Sequence, residues 1–369
     1  MNVTARTILV MAGGTGGHIF PALAVAGWLK ERGVRVVWLG TKKGMEATLI
    51  PRAGYEIAWV SFGGVRKSGL LRIATLPFFL LLAFVQSAAA LFKYRPDVVL
   101  GMGGFASFPG GMMAALFNKG FVIHEQNSIA GLANRVLAAV ADKVLVAFPD
   151  PFRARGKLLS FIPQPSSFNL VGNPVRAEIT AAATPDVRFA GRSGKLRLLV
   201  VGGSRGAQHL NETVPKALRL IGEAERPRVV HQAGADHIAL LKRNYEEATV
   251  EGEVLAFIEN IRERYEECDV AICRAGAITV AELCAVGVAS ILVPYPHAVD
   301  DHQTGNAKFL VEGGAAILLP QNELDAPRLA ALLKSFTRAT LLKMATAARS
   351  LGKPEATRLV GKVCMELAG

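Results

Sequence analysis

Cysteine is scarce in this 369-residue chain. Cys268, Cys273, Cys284 and Cys364 are all there is, none in a C-x-x-C pair and none beside histidines at zinc spacing. That excludes a disulfide framework or a zinc ribbon and reads as reduced thiols in a cytosolic protein. Acidic residues are outnumbered as well, 30 against 42 Lys plus Arg, leaving a formal charge of +12. Such an excess favours an anionic partner: nucleic acid, anionic lipid or a phosphorylated substrate. No recognised RNA- or DNA-binding motif accompanies it, so nucleic acid is set aside. Charge of either sign vanishes over residues 73–92, "IATLPFFLLLAFVQSAAALF", a stretch long enough to span a bilayer. No signal peptide is visible, since the first apolar run is too short.

Several nucleotide-binding signatures are missing too. The Walker pattern G-x-x-x-x-G-K-[ST] is absent, which excludes ATP or GTP hydrolysis by that route. The dinucleotide fingerprint fails: Ile19 stands where its third glycine would fall, and the next strand ends in "VVWLGTKKG" without an acid for a ribose diol. The second half, with "RVVHQAG", lacks that acid as well, so a nicotinamide dehydrogenase is disfavoured. No D-x-D occurs, which argues against a metal-dependent sugar-nucleotide site, and neither a metal nor a cofactor is expected.

What is present is a regular alternation of β-branched runs and helical stretches. Strands are expected at 7–12, 34–39, 98–101, 121–124 and 143–147, then at 196–202, 228–231, 254–257, 270–273, 290–293 and 316–319. Strands separated by helices imply parallel sheets covered on both faces. "ILVMAGGTGGH" near the start is echoed by "LRLLVVGGSRGA" at 196–207, and the turn-rich "FIPQPSSFNLVGNPVRAE" lies between them. The fold expected is therefore α/β, two Rossmann-like doubly wound domains facing a cleft, with a junction near 173–176.

Gly13, Gly14, Gly16 and Gly17 let the chain turn sharply and point amides outward at a helix start, where anions are attracted. "GMGGFASFPGG" at 101–111 forms another such loop. His18 stands at the mouth of the first one. His124, Glu125, Gln126 and Asn127 follow a strand directly and are expected to line a cleft. In the second half, "CRAGAITVAELCAVG" opens a helix whose free amides at 277–279 suit a diphosphate, with Glu282 placed for a ribose diol. Asp301, Gln303 and Asn306 suit sugar hydroxyls.

"GGTGGH", "GMGGFASFPG", "HEQNSIAG", "GNPVR", "GGSRGA", "CRAGAITVAE" and "DHQTGN", in that order from Gly13 to Asn306, together resemble the MurG family. These are peptidoglycan glycosyltransferases that add N-acetylglucosamine to lipid I to make lipid II. The resemblance implies the two-domain GT-B architecture. The first domain would cover 1–175, completed by a helix at about 355–369, and the UDP-GlcNAc domain 176–354. It also implies a donor site of Thr15, Gly16, Gly17, Asn127, Arg176, Ser204, Ile258, Ala277, Ile278, Thr279, Val280, Ala281, Glu282 and Gln303. Gly103 and Gly104 would receive the acceptor's diphosphate.

The reaction so implied transfers GlcNAc with inversion to the 4-hydroxyl of N-acetylmuramate on an undecaprenyl diphosphate carrier. Helix amides at 277–279 with Arg274 or Arg176 suit the departing UDP. His18 is the first candidate for general base, histidine's ordinary pKa of about 6.5 being right for neutral pH, and Glu125 is the second. A related transferase acting on diacylglycerol is the alternative. An integral membrane protein spanning at 73–92 is disfavoured, because one span would part the glycine loops of one sheet. Instead, residues 76–92 are expected to lie on the cytoplasmic face of the bacterial inner membrane as a peripheral element, with Pro77 in a helix's first turn. No acid occurs from Ile57 to Pro96, while Arg66, Lys67, Arg72, Lys93 and Arg95 do, which suits an anionic leaflet.

Overall fold

The computed structural model describes residues 6–61, 70–153, 164–203 and 206–369. Arg66, Lys67 and Ser204 lie outside them, as does the side chain of Arg72. The chain divides into two compact units, Met1–Arg176 with Pro354–Gly369, and Ala177–Lys353.

The first unit is built on β1 (Thr7–Met11), β2 (Arg35–Gly40), β3 (Glu56–Trp59), β4 (Val98–Gly101), β5 (Gly120–Glu125), β6 (Lys143–Val146) and β7 (Asn169–Leu170). They form one sheet in the order β3-β2-β1-β4-β5-β6-β7. The second unit carries β8 (Arg197–Val201), β9 (Arg228–Gln232), β10 (Glu253–Leu255), β11 (Val270–Cys273), β12 (Ser290–Leu292) and β13 (Ala316–Leu318), in the order β10-β9-β8-β11-β12-β13. All these pairings are parallel. The sequence dictates this directly: "TILVM" is buried at every position, as a strand with helices on both faces must be.

The eleven strands expected from the sequence are present, with ends moved by at most two residues. β3 and β7 were not expected. "EIAW" is short and begins on an exposed Glu56, and β7 is two residues within a proline- and glycine-rich stretch. Both are edge strands, which need little apolar signal.

Strand order reverses between β1 and β4 in one sheet and between β8 and β11 in the other. Loops after adjacent strands diverge there and leave a crevice at the strands' carboxyl ends. The helix Ala356–Leu367 belongs to the first unit and packs on the helix Gly16–Lys30. Gly361 lies flat on the Trp28 ring, where a Cβ would collide with it, and Val360 and Cys364 join the core of Ile8, Val10, Ile19 and Trp38.

The uncharged segment lies within one helix, Leu70–Tyr94. Pro77 is not in its first turn as expected but eight residues in, and the helix continues through it at the loss of one backbone hydrogen bond. Ala83, Ser87, Ala90, Leu91 and Tyr94 face inward, and Phe84 meets Phe108. Phe78, Leu81, Val85 and Phe92 recur at helical spacing on the opposite face and are exposed, Phe78 to 66% and Phe92 to 63%. All four cysteines are free and buried, and burial pushes their thiols up to about 12.

Candidate functional site

In the first unit three loops meet at the β1/β4 reversal. The first, 12–18, runs from β1 into the helix Gly16–Lys30, whose start has no side-chain cap and no acid in its first turn. The His18 and Ile19 amides donate to the Thr15 carbonyl at 3.1 and 3.2 Å, and the positive end of the helix dipole suits an anion. Gly14 needs its glycine, with φ at +88°, and its amide is already taken by Glu46, donating to Oε2 at 3.0 Å. Glu46 is fully buried and also accepts from the Thr41 amide (3.1 Å) and the Thr41 hydroxyl (2.7 Å). It is a carboxylate strut beneath the glycine loop. A Cβ on Gly13 would lie 2.6 Å from Glu46 Oε1, so the loop is closed down onto it.

The second loop follows β4. Gly103 and Gly104 have φ of +88° and +90°. A Cβ on Gly104 would strike the Gly13 carbonyl, and one on Gly103 would lie 2.6 Å from His18 Nδ1. Glycine at these two positions lets the second loop lie directly on the first and lets the His18 ring rest on its backbone. The third loop follows β5. His18 Nδ1 is 3.0 Å from Gln126 Oε1, Gln126 Nε2 is 3.1 Å from His124 Nδ1, and His124 Nε2 is 2.9 Å from the Gly172 carbonyl.

Here the cleft-lining expectation for "HEQN" needs correction. His124, Glu125 and Gln126 are exposed by no more than 2%. They are buried because each has internal partners, which a local sequence reading cannot see. Glu125 accepts from the Asn127 amide (2.9 Å) and side chain (3.3 Å), the Gly131 amide (3.3 Å) and Asn134 Nδ2 (2.8 Å). Both its oxygens are engaged in shaping the loop. Burial holds the His124 imidazole down at about 4, so it is neutral at working pH.

In the second unit the reversal lies between β8 and β11. The helix Ala277–Val286 starts four residues after β11 and is preceded by Gly276, with no side-chain cap and no acid in its first turn. Residues 277–282 are thus the opening of a helix, with the Val280 amide donating to the Gly276 carbonyl at 2.9 Å. The Glu282 carboxylate accepts from the hydroxyl of the buried Tyr265 at 3.4 Å. Arg274 donates to the carbonyls of Val293 (3.1 Å) and Pro294 (3.2 Å) and to Gln321 Oε1 (2.6 Å), with Tyr295 against its guanidinium. Gln303 Oε1 accepts from the Tyr295 amide at 2.9 Å, and Asp301 Oδ1 from the Thr304 hydroxyl at 2.7 Å. Asn306 is fully buried, its side chain holding the Ala275 carbonyl at 3.1 Å. It clips the loop. Ile258 is buried behind an exposed Phe257. Thr15, Asn127 and Arg176 belong to the first unit. Among the described residues no group of three or more His, Cys, Asp and Glu is arranged to hold a metal ion.

Residues 8–146 match the glycosyltransferase family 28 N-terminal domain and residues 197–360 its C-terminal domain. The chain is 60% identical over 363 residues, 98% of both proteins, to the UDP-N-acetylglucosamine--N-acetylmuramyl-(pentapeptide) pyrophosphoryl-undecaprenol N-acetylglucosamine transferase of Aromatoleum aromaticum. It is 55% identical over 369 residues, the whole of both, to the transferase of the same name from Thiobacillus denitrificans. The crystal structure of MurG from Acinetobacter baumannii matches with a TM-score of 0.84 at 36% identity, covering 98% of this chain and 99% of that one. This chain belongs to the MurG family. The seven motifs pointed to the MurG family, and the full-length match bears that out, along with the two-domain parallel α/β fold. Sequence reasoning missed Glu46. Its only signal was an acid in "TKKGMEA", and its partner Gly14 is 32 positions away.

Proposed function

We propose that this chain is the inverting transferase that moves GlcNAc from UDP to the 4-hydroxyl of N-acetylmuramate on an undecaprenyl diphosphate carrier, forming lipid II for peptidoglycan. The 60% identity over 98% of the chain to a protein of that named activity carries the reading. The acceptor hydroxyl gives its proton to His18 as its oxygen bonds to the anomeric carbon. The bond from that carbon to UDP breaks with its electron pair left on the diphosphate. His18 is preferred to Glu125 as base because both Glu125 oxygens already serve four donors. In the second unit, the amides at 277–279 receive the UDP diphosphate, Glu282 the ribose, and Ile258 and Gln303 the uracil and the sugar. Arg274, which also donates to two carbonyls and Gln321, and Arg176 are the candidate cations for the departing UDP. In the first unit, Thr15, Gly16, Gly17 and Asn127 are further candidates for donor contacts, and Gly103 and Gly104 receive the acceptor diphosphate.

The helix Leu70–Tyr94 supports a peripheral place at the membrane. It is long and apolar enough to cross a bilayer, yet its Ala83, Ser87, Ala90 and Leu91 face is packed inside the unit. The outward Phe78, Leu81, Val85 and Phe92, continued by Leu116 and Phe117, form an apolar surface for the lipid interface. Lys93 and Arg95 at its end are exposed and suit anionic headgroups. The deciding assay offers labelled UDP-GlcNAc with either lipid I or diacylglycerol. Label is expected on lipid I alone, and transfer to diacylglycerol would replace this reading with the alternative.

A further inference from the structure

The side chains around His18 fix where its proton sits. Gln126 Nε2 lies 3.1 Å from the main-chain carbonyl of its near neighbour His124. A carbonyl only accepts, so that end of the Gln126 amide is the NH2 group and the end facing His18 is the oxygen. His124 Nε2 lies against the Gly172 carbonyl and must likewise carry its proton, which leaves Nδ1 to accept the second Gln126 N–H. Each assignment follows from a group with only one possible role. At the end of the chain, an amide oxygen faces His18 Nδ1 at 3.0 Å.

The geometry therefore assigns to His18 the tautomer with the proton on Nδ1 and the lone pair on Nε2, with Gln126 and, behind it, His124 and the Gly172 carbonyl as positioning groups. The assignment rests on the reading of His18 as base only for its catalytic consequence. An isolated imidazole prefers the opposite tautomer, in which Nδ1 holds the lone pair and faces back toward the protein. The relay reverses that preference before substrate arrives. When Nε2 takes the acceptor proton, the imidazolium keeps its Nδ1–H on Gln126 Oε1, so no partner has to turn. Gly103 completes the seat, because any Cβ there would push the ring off Gln126. The anchor is buried throughout: His124 is fully covered and Gln126 is 1% exposed. Burial also keeps His124 neutral, and a protonated His124 would have no acceptor for Gln126.

The test is a long-range 1H–15N correlation spectrum of the full chain labelled in its seven histidines, with His18 assigned by its loss in His18→Gln. Neutral His18 is expected to show Nε2 without a proton. In Gln126→Met the proton should move substantially to Nε2, and kcat with lipid I should fall about 10- to 100-fold with both KM values little changed. A wild-type spectrum with the proton on Nε2 overturns the proposal whether or not the variants fold, as does a tautomer that Gln126→Met leaves unchanged. If the tautomer moves as expected while His18→Ala keeps full kcat, the relay stands and the base reading fails.

Discussion

The helix starts at Gly16 and at Ala277 both stand where the strand order of their unit reverses, but they are supported differently. Beneath the first unit's loops lie Glu46, His124, Glu125 and Gln126, all buried and all hydrogen-bonded. Beneath the start of the helix Ala277–Val286 the fold is mainly apolar, Cys273, Ala275 and Val280, with Asn306 as a polar clip. On the proposed function, the difference matches the task of each reversal. Gripping a diphosphate needs only backbone amides, and a helix start supplies those without help. Taking a proton needs one side chain in one orientation and one tautomer, which only a satisfied polar network can hold. A buried network is costly unless every member is paired, so it is found where the chemistry demands it.

The largest effect that would break this comparison lies at His18. His18→Ala should lower kcat by about 10²–10⁴-fold with either KM little changed. If acceptor KM moves instead, the first unit also only binds, and the contrast disappears.

A second effect compares two buried histidines, one in each unit. Burial lowers His124 from 6.5 to about 4 and His231 from 6.5 to about 3. The unfolded chain therefore takes up protons near pH 6.5 that the folded chain refuses. Stability should be full above that pH and fall as pH drops toward 4, by on the order of a few kcal/mol. His231, which meets the Tyr245 hydroxyl at 3.1 Å, is the one to replace. Thermal unfolding of His231→Phe should lose less stability between pH 6.5 and 4 than the wild type does. An unchanged acid limb would mean that other groups set it.

Next in size is Glu282→Ala, which should weaken the donor by roughly 1.5–3 kcal/mol in kcat/KM, through KM, and leave acceptor KM near normal. A folded variant with unchanged donor KM would remove Glu282 from the grip and leave the helix amides to act alone.

The smallest effect concerns the membrane face. Co-sedimentation with anionic vesicles should weaken with salt and lose about 1 kcal/mol for each basic residue reversed among Arg66, Lys67 and Arg72. Binding that survives high salt and carbonate would mean a true span, and no binding would make the helix Leu70–Tyr94 an ordinary element of the first unit.

Much of this was readable from the sequence because the signals are local. Apolar runs such as "TILVM" announce buried strands, and "GGTGGH" announces a sharp turn with His18 at its edge. What escaped is long-range. Glu46 is tied to Gly14, 32 residues back, and His124 to Gly172, 48 residues on. Nothing near either residue says that its partner is a backbone group from another loop. "HEQN" looked like a cleft lining because four polar residues at a strand end usually meet water. The fold instead brought enough donors and acceptors to bury three of them. Pro77 misled for a related reason: proline favours a helix's first turn, but the packing of the apolar face outweighs one lost hydrogen bond.

The docking of residues 354–369 against Trp28 bears on how the protein is made. A ribosome delivers the second unit as one uninterrupted stretch, ready to collapse as soon as it emerges. The first unit emerges earlier but lacks the helix that covers Trp28 until residues 354–369 follow. During that interval the older half of the nascent chain exposes an oily flank while the younger half is already free to close. Chaperones are expected to be held by the amino-terminal half, and a chain broken off after Lys353 to be cleared by proteolysis, with its second unit the last part to be degraded.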